Sequence, residues 1–144
     1  MPLDHPVVCE QLGDRDLYLG SARAAQPDVI DTDFAHVVTV SRVEQPLTTD
    51  FEPLVDGPGL DREAFVDAVD TARERHTDDG TVLVHCNAGI SRSAAVIATV
   101  LACEEHHSLK DALTEIQQYR DRASPRTPLR NAAKHYLDNT PSAE

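Results

Sequence analysis

The segment Thr81-Val82-Leu83-Val84-His85-Cys86-Asn87-Ala88-Gly89-Ile90-Ser91-Arg92-Ser93 changes character twice within a few residues. Its opening, Thr81 to Val84, is apolar and β-branched, and the turn-forming cluster Asp78-Asp79-Gly80 precedes it, so a buried strand is expected there. Its last residue begins a strongly apolar run, Ser93 to His106, that reads as a buried helix. Between strand and helix lies a loop of small residues. Such a loop lets backbone N–H groups turn inward around an anion, and the start of the following helix adds positive potential at the same point. A thiol at the loop entrance loses its proton easily in that field. The arginine at the loop exit can hold two phosphate oxygens with its planar fork.

Alternatives stand beside each of these readings. Cys86 on its own would be a small buried hydrophobe, and Arg92 could be a surface ion-pair partner. A cation at a helix start is electrostatically misplaced, however, and a bound anion resolves the conflict. Ser93 can act as a helix N-cap as well as a site residue. The chain also contains an internal control, because Cys9 and Arg15 repeat the Cys-to-Arg spacing. Their interior, Glu10-Gln11-Leu12-Gly13-Asp14, carries two carboxylates that would repel phosphate. No β-branched strand precedes that segment and no long helix follows, so the repeat is read as coincidence.

Further out, Leu17 to Gly20 reads as a short strand, Ala22 to Ile30 as a short helix or turn, and His36 to Val40 as a buried strand. Phe51 to Val55 is a weaker strand, followed by the turn Asp56-Gly57-Pro58-Gly59. Leu60 to Arg75 is helical, with Phe65, Val66, Val69 and Ala72 on one face. Ser108 caps a helix that turns Leu113, Ile116 and Tyr119 inward; Ser124 to Pro128 interrupts the chain, and Leu129 to Leu137 forms a last helix. The tail after Asp138 is expected to fray. Strands alternating with helices predict a three-layer α/β fold with a central mixed, mostly parallel sheet of four to five strands flanked by helices. Ligands in such folds bind at the carboxyl ends of the strands.

The 144 residues suit one domain, residues 1–144, with a core from about 10 to 138 and short flexible tails. The net charge of -12 makes nucleic acid and anionic membrane poor partners. The longest apolar stretch, Ala94 to Cys103, is too short to span a bilayer. Met1-Pro2-Leu3-Asp4-His5 lacks a basic region followed by an apolar run, and the three cysteines, Cys9, Cys86 and Cys103, are an odd number. Both point to a reduced, cytoplasmic protein rather than a disulfide framework. Glu104, Glu105, His106 and His107 are read as a solvated helix end rather than metal ligands, since they supply no complete ligand set. Cys103 is read as core, and no partner helix or apolar stripe argues against a monomer.

The segment His85-Cys86, five residues, Arg92, Ser93 resembles the signature of the cysteine-based protein tyrosine phosphatase superfamily, and Ala88-Gly89-Ile90-Ser91-Arg92-Ser93 is most similar to its dual-specificity branch. The resemblance extends from about Asp16 to Leu137 and includes Leu17-Tyr18-Leu19-Gly20-Ser21 as the opening strand. It implies a phosphatase fold and hydrolysis of phosphotyrosine, with phosphoserine and phosphothreonine as further substrates, through a phosphocysteine intermediate. It implies Cys86 as nucleophile, Arg92 as phosphate clamp, Ser93 as thiolate stabiliser and His85 as orienting residue. The backbone of Asn87, Ala88, Gly89, Ile90, Ser91 and Arg92 would line the phosphate cradle. It also implies an aspartate general acid on a loop well before the cysteine. Asp56, thirty positions before Cys86, fits; its rival Asp61 better suits a helix N-terminus. Neither a cofactor nor a metal is implied, because Arg92, the amides and the helix end supply the positive field. The loop interior carries no lysine, which favours phosphoproteins over inositol lipids. Two other functions use related parts: a cysteine-loop sulfurtransferase or arsenate reductase, and a phosphotyrosine-binding module without turnover.

Aspartate is abundant, whereas Lys110 and Lys134 are the only lysines. This balance is read as halophilic, suited to a salt-rich cytosol that screens self-repulsion. The midpoint of thermal unfolding, followed by circular dichroism, should therefore rise with KCl from dilute buffer to molar salt. Full, salt-independent stability in dilute buffer would refute the reading.

Overall fold

In the computed structural model, residues 7–78 and 80–140 are described. In chain order the elements are β1 (Cys9–Gln11), β2 (Leu17–Gly20), a 3-10 turn (Ala22–Ala25), β3 (His36–Thr39), β4 (Asp50–Phe51), α1 (Arg62–Thr77), β5 (Val82–His85), α2 (Arg92–Glu104), α3 (Leu109–Tyr119) and α4 (Thr127–Asn139). The strands form one mixed sheet in the order β1-β2-β5-β3-β4. Only β1 runs antiparallel, against β2; the other pairings are parallel.

The most apolar strand takes the middle. All four residues of β5 are buried, as expected of a parallel strand covered on both faces. Alternation along the strands divides the core in two. Leu17, Leu19, Val38, Val82 and Val84 pack with residues of all four α-helices, among them Phe65, Ile97, Ile116 and Leu129. Leu83 and Val37 point the other way, where Ala24 and Ala25 of the 3-10 turn cover them together with Tyr18, Ile30 and Phe34. The rings of Tyr18 and Phe34 meet edge-on, with centroids 5.2 Å apart. The second face is therefore closed by one short turn and the loop that follows it.

Several boundaries differ from the sequence reading for identifiable reasons. Asp61 accepts a hydrogen bond from the Glu63 N–H and caps α1, which starts at Arg62 and runs to Thr77. Ser108 caps α3 through the Asp111 N–H, as expected. α4 starts at Thr127 instead of Leu129, because Pro128 falls in the first turn, where a missing N–H goes unneeded. β4 contains only Asp50 and Phe51 rather than Phe51 to Val55; the Glu52 and Leu54 N–H groups still donate to Thr39 O and Val40 O, but two residues advance there against one, so the regular ladder stops. The helix or turn expected over Ala22 to Ile30 contracts to Ala22–Ala25; Asp28 beyond it has a positive φ of 65°. The expected fray after Asp138 gives way to a helix through Asn139; residues 141–144 lie outside the described residues, as do 1–6. β1 is a strand that the sequence did not announce, being three residues with polar Glu10 and Gln11 and no alternating pattern.

The parallel strands β2, β5 and β3 end at the same edge of the sheet, so Gly20, Cys86 and Val40 emerge side by side. Cys86 N–H donates to Gly20 O at 3.3 Å and Val40 N–H to His85 O at 3.0 Å. Among the described residues, no helix is long and apolar enough to cross a membrane. Gly20 is packed from both sides: a Cβ there would lie 2.8 Å from Leu83 Cδ1 and 2.9 Å from the Val8 carbonyl oxygen. Because the second contact is backbone, Gly20→Ala should destabilise the fold by about 1–3 kcal/mol. Urea unfolding would measure this, and an unchanged midpoint would show that the sheet edge yields freely.

Candidate active site

The loop between β5 and α2 is held from outside by its carbonyl groups. Asn87 O accepts from Ala22 N–H at 3.1 Å and Ile90 O from Ser124 N–H at 2.8 Å. The guanidinium of Arg120 donates to Ala88 O at 3.0 Å and Gly89 O at 3.2 Å. The peptide bonds are trans, so each outward carbonyl sets the next N–H pointing the opposite way. The amides of Ala88, Gly89, Ile90 and Ser91 are thus turned toward the inside of the loop. Gly89 makes this turn possible with φ at +69°, and a Cβ there would lie 3.2 Å from the Gly20 carbonyl oxygen.

Cys86 lies at the bottom, with 2% of its surface exposed. Burial alone would raise its thiol pKa. Hydrogen bonds from the Ser93 hydroxyl and from the Ser93 and Gly89 amides, together with the charge of Arg92, outweigh burial and hold the thiol below its ordinary value. The Cys86 Sγ to Ser93 Oγ distance is 3.2 Å. Ser93 is not the N-cap of α2, a position taken by Ser91; it lies within the first turn and is fully buried.

His85 is buried, and that burial, aided by the charge of Arg92, lowers its pKa further than its contact with Cys86 O raises it, which favours the neutral ring. A carbonyl can only accept, so Nδ1 carries the proton and donates to Cys86 O at 3.1 Å. Nε2 must then accept from the Thr39 hydroxyl at 2.7 Å. Thr39 Oγ1 in turn accepts from Thr48 Oγ1 at 2.7 Å, and Thr48 from the Gln45 N–H at 2.9 Å. Four donors thus point one way along a chain that ends at the backbone of Cys86.

Arg92 starts α2 and reaches across to Leu54, where Nη1 donates to the carbonyl at 3.2 Å. Its Nε is buried and has no partner among the described residues. Asp56 stands on the loop after β4, where its Oδ1 accepts from Ser91 Oγ at 3.0 Å. Ser91 Oγ also accepts from Arg126 N–H at 3.1 Å. The Arg126 guanidinium lies 3.8 Å from the other oxygen of Asp56. Asp56, Cys86, Ile90, Ser91, Arg92, Ser124 and Arg126 line a cleft of 230 Å³, with Asn87 and Ala88 at its edge. A thiol held toward its anion, inward amides, a guanidinium and a carboxylate in one cleft of this size suit a tetrahedral oxyanion ester.

The structure therefore brings Cys86, Arg92, Ser91 and Asp56 around one cleft, with Ser93 and His85 directly beneath it. Asp61 is elsewhere, occupied as a helix cap. Sequence reasoning missed Arg120, which follows α3, Ser124 and Arg126, which come from the segment Ser124 to Pro128 treated as a break, and Thr39 and Thr48, which fix the histidine. The first three had a visible signal: four of the chain's arginines fall between Arg120 and Arg130. The control segment behaves oppositely. Burial and then the charge of Glu10 push the Cys9 thiol up to about 11, and Arg15 pairs with Glu105 at 2.7 Å and Glu115 at 2.8 Å. Ligand atoms of Glu105, His107 and Glu115 also come within 4.8 Å of one another, but that guanidinium already binds both carboxylates. Cys103 is buried in the main core, and all three cysteines are free.

Residues 17–136 match the family model for the dual specificity phosphatase catalytic domain. Dual specificity protein phosphatase 1 of Arabidopsis thaliana is 32% identical over 120 residues, covering 78% of this chain and 61% of the relative. The human dual specificity protein phosphatase 4 is 32% identical over 119 residues, covering 76% of this chain and 30% of the relative. The chain thus spans less than two thirds of the length of these curated relatives, 61% of the first and 30% of the second. Among solved structures, human DUSP28 superposes with a TM-score of 0.73 at 27% identity, covering 95% of this chain and 96% of that one. A mouse dual specificity phosphatase complexed with zinc tungstate superposes with a TM-score of 0.79 at 25% identity, covering 96% of this chain and 91% of that one. With its mixed five-stranded sheet, its cysteine loop and a match across most of its length, this chain belongs to the dual specificity phosphatase family.

Proposed function

We propose that this chain is a cysteine-dependent protein phosphatase acting as one domain on phosphotyrosine, and on phosphoserine and phosphothreonine, of protein substrates. The thiolate of Cys86 attacks phosphorus while the bond to the leaving oxygen breaks, and Asp56 gives that oxygen a proton. A water then attacks the phosphocysteine, Asp56 takes its proton, and the thiolate leaves with inorganic phosphate as product. Arg92 and the amides of the loop hold the phosphoryl oxygens through both steps. Ser93 steadies the thiolate whenever it is free, and His85 fixes the carbonyl of Cys86 from below.

The observation that carries this reading is a buried Arg92 Nε without a partner, in the same cleft as a thiol held below its ordinary pKa. A buried donor left unpaired costs about 1–3 kcal/mol, and a phosphoryl oxygen would satisfy it. The tungstate complex of the mouse relative involves a tetrahedral oxyanion of the same shape. Asp56 in the cleft favours a phosphatase over sulfur transfer or arsenate reduction, neither of which needs that acid. Absence of lysine from Asn87 to Ser91 supports phosphoproteins over inositol lipids. The free cysteines support a reducing compartment, the cytoplasm.

Hydrolysis of para-nitrophenyl phosphate should fall to background in Cys86→Ser; equal rates in the two proteins would end the enzymatic reading. Asp56→Asn should lose about 10²–10⁴-fold in kcat while still binding tungstate in a calorimeter; undiminished kcat would return the choice to the sulfurtransferase and reductase class. Alkylation of Cys86 by iodoacetate reports the thiolate directly. Its rate should fall as pH drops through a midpoint below the ordinary thiol value of about 8.5, and Ser93→Ala should move that midpoint upward. A midpoint at the ordinary value in the native chain would remove the electrostatic basis of the mechanism.

A further inference from the structure

The chain is acidic overall, at a net charge of -12, yet its cleft is lined by Arg92 and Arg126 against the single carboxylate of Asp56. Between residues 120 and 130 stand Arg120, Arg122, Arg126 and Arg130 against the single carboxylate of Asp121. Two of these arginines are committed to the fold: Arg120 holds Ala88 O and Gly89 O, and Arg130 Nε donates to Pro125 O at 2.7 Å. Arg126 differs. Its backbone N–H is fixed to Ser91, which plants the residue at the rim, but its side chain is 71% exposed and touches Asp56 only loosely, at 3.8 Å. The loop itself supplies no lysine, so Arg92 at depth and Arg126 at the rim are the two cations lining the cleft. Arg92 is directed to the phosphoryl group. That leaves Arg126 for something beside it.

We propose that Arg126 is a specificity-determining residue that reads a carboxylate flanking the phosphorylated residue of the substrate peptide. Asp56 already shows that the guanidinium reaches a carboxylate at this spot, and the planar fork of arginine matches carboxylate geometry. A glutamate or aspartate of the substrate replaces Asp56 as the partner of Arg126. The exchange leaves Asp56 with Ser91 and turned to the leaving oxygen. Arg92 and Arg126 offset, at short range, the repulsion that an acidic peptide meets from the rest of the surface. This inference rests on the phosphatase reading and adds a substrate class to it: phosphopeptides with acidic flanks.

The test uses three tyrosine-phosphorylated peptides that differ only beside the phosphotyrosine, carrying Glu, Gln or Lys. The ratios of kcat/KM are measured for the native chain, Arg126→Ala and Arg126→Glu, at the lowest salt in which each stays folded. The native chain should favour the Glu peptide over the Gln peptide by about two- to five-fold, the range of an exposed ion pair. Arg126→Ala should bring the ratio to one, and Arg126→Glu should reverse it in favour of the Lys peptide. Each ratio is internal to one protein, so a general change in rate does not affect it. A native chain that hydrolyses all three alike, or an Arg126→Ala variant that keeps the preference, overturns the proposal and leaves the phosphatase reading in place. Hydrolysis of none of the peptides by the native chain removes both.

Discussion

The planarity of four consecutive peptide units governs everything at the cleft. Once the carbonyls of Asn87, Ala88, Gly89 and Ile90 are taken by donors outside the loop, the following amides have no choice of direction. The donors come from scattered parts of the chain: Ala22 after β2, Arg120 after α3 and Ser124 before α4. The inward field that depresses the Cys86 thiol is therefore a tertiary product, assembled only when sheet and helices have docked. α2, buried from Ser93 to Cys103, then serves two ends, filling the core with its aliphatic side chains and aiming its N-terminus at the sulfur.

How much of this could be read in the sequence depended on the range of the interaction. Strand β5, the loop and α2 are contiguous, and their patterns are strong, so the heart of the fold was legible in a short segment. Asp61 and Ser108 announced their helices because capping is local. β1 was invisible because a short edge strand of polar residues has no periodicity; its pairing is decided by β2 alone. Thr39 and Thr48 are unremarkable threonines until β3 and the turn after it bring them to His85. β4 is shortened by a loss of register, with Glu52 on Thr39 and Leu54 already on Val40, which no local pattern of residues shows.

Charge shows the same division between global and local. A net charge is a sum, and it says what the surface as a whole repels. It does not describe an opening a few ångströms across, where nearby charges are felt before screening removes them. An acidic chain can therefore carry a cationic cleft, provided one or two basic residues stand there. In this chain they are arginines, whose fixed charge and forked geometry suit both carbonyl clamping and anion contact.

Arg92 to Leu54, and Ser91 to Asp56, join the cysteine loop to the segment after β4 by two hydrogen bonds. Both bonds are made within the folded chain itself. The conformational entropy of arranging that segment is thus lost during folding, not at each encounter. Turnover in such an architecture begins from a nearly assembled constellation, and the energy of association remains available for discrimination among ligands.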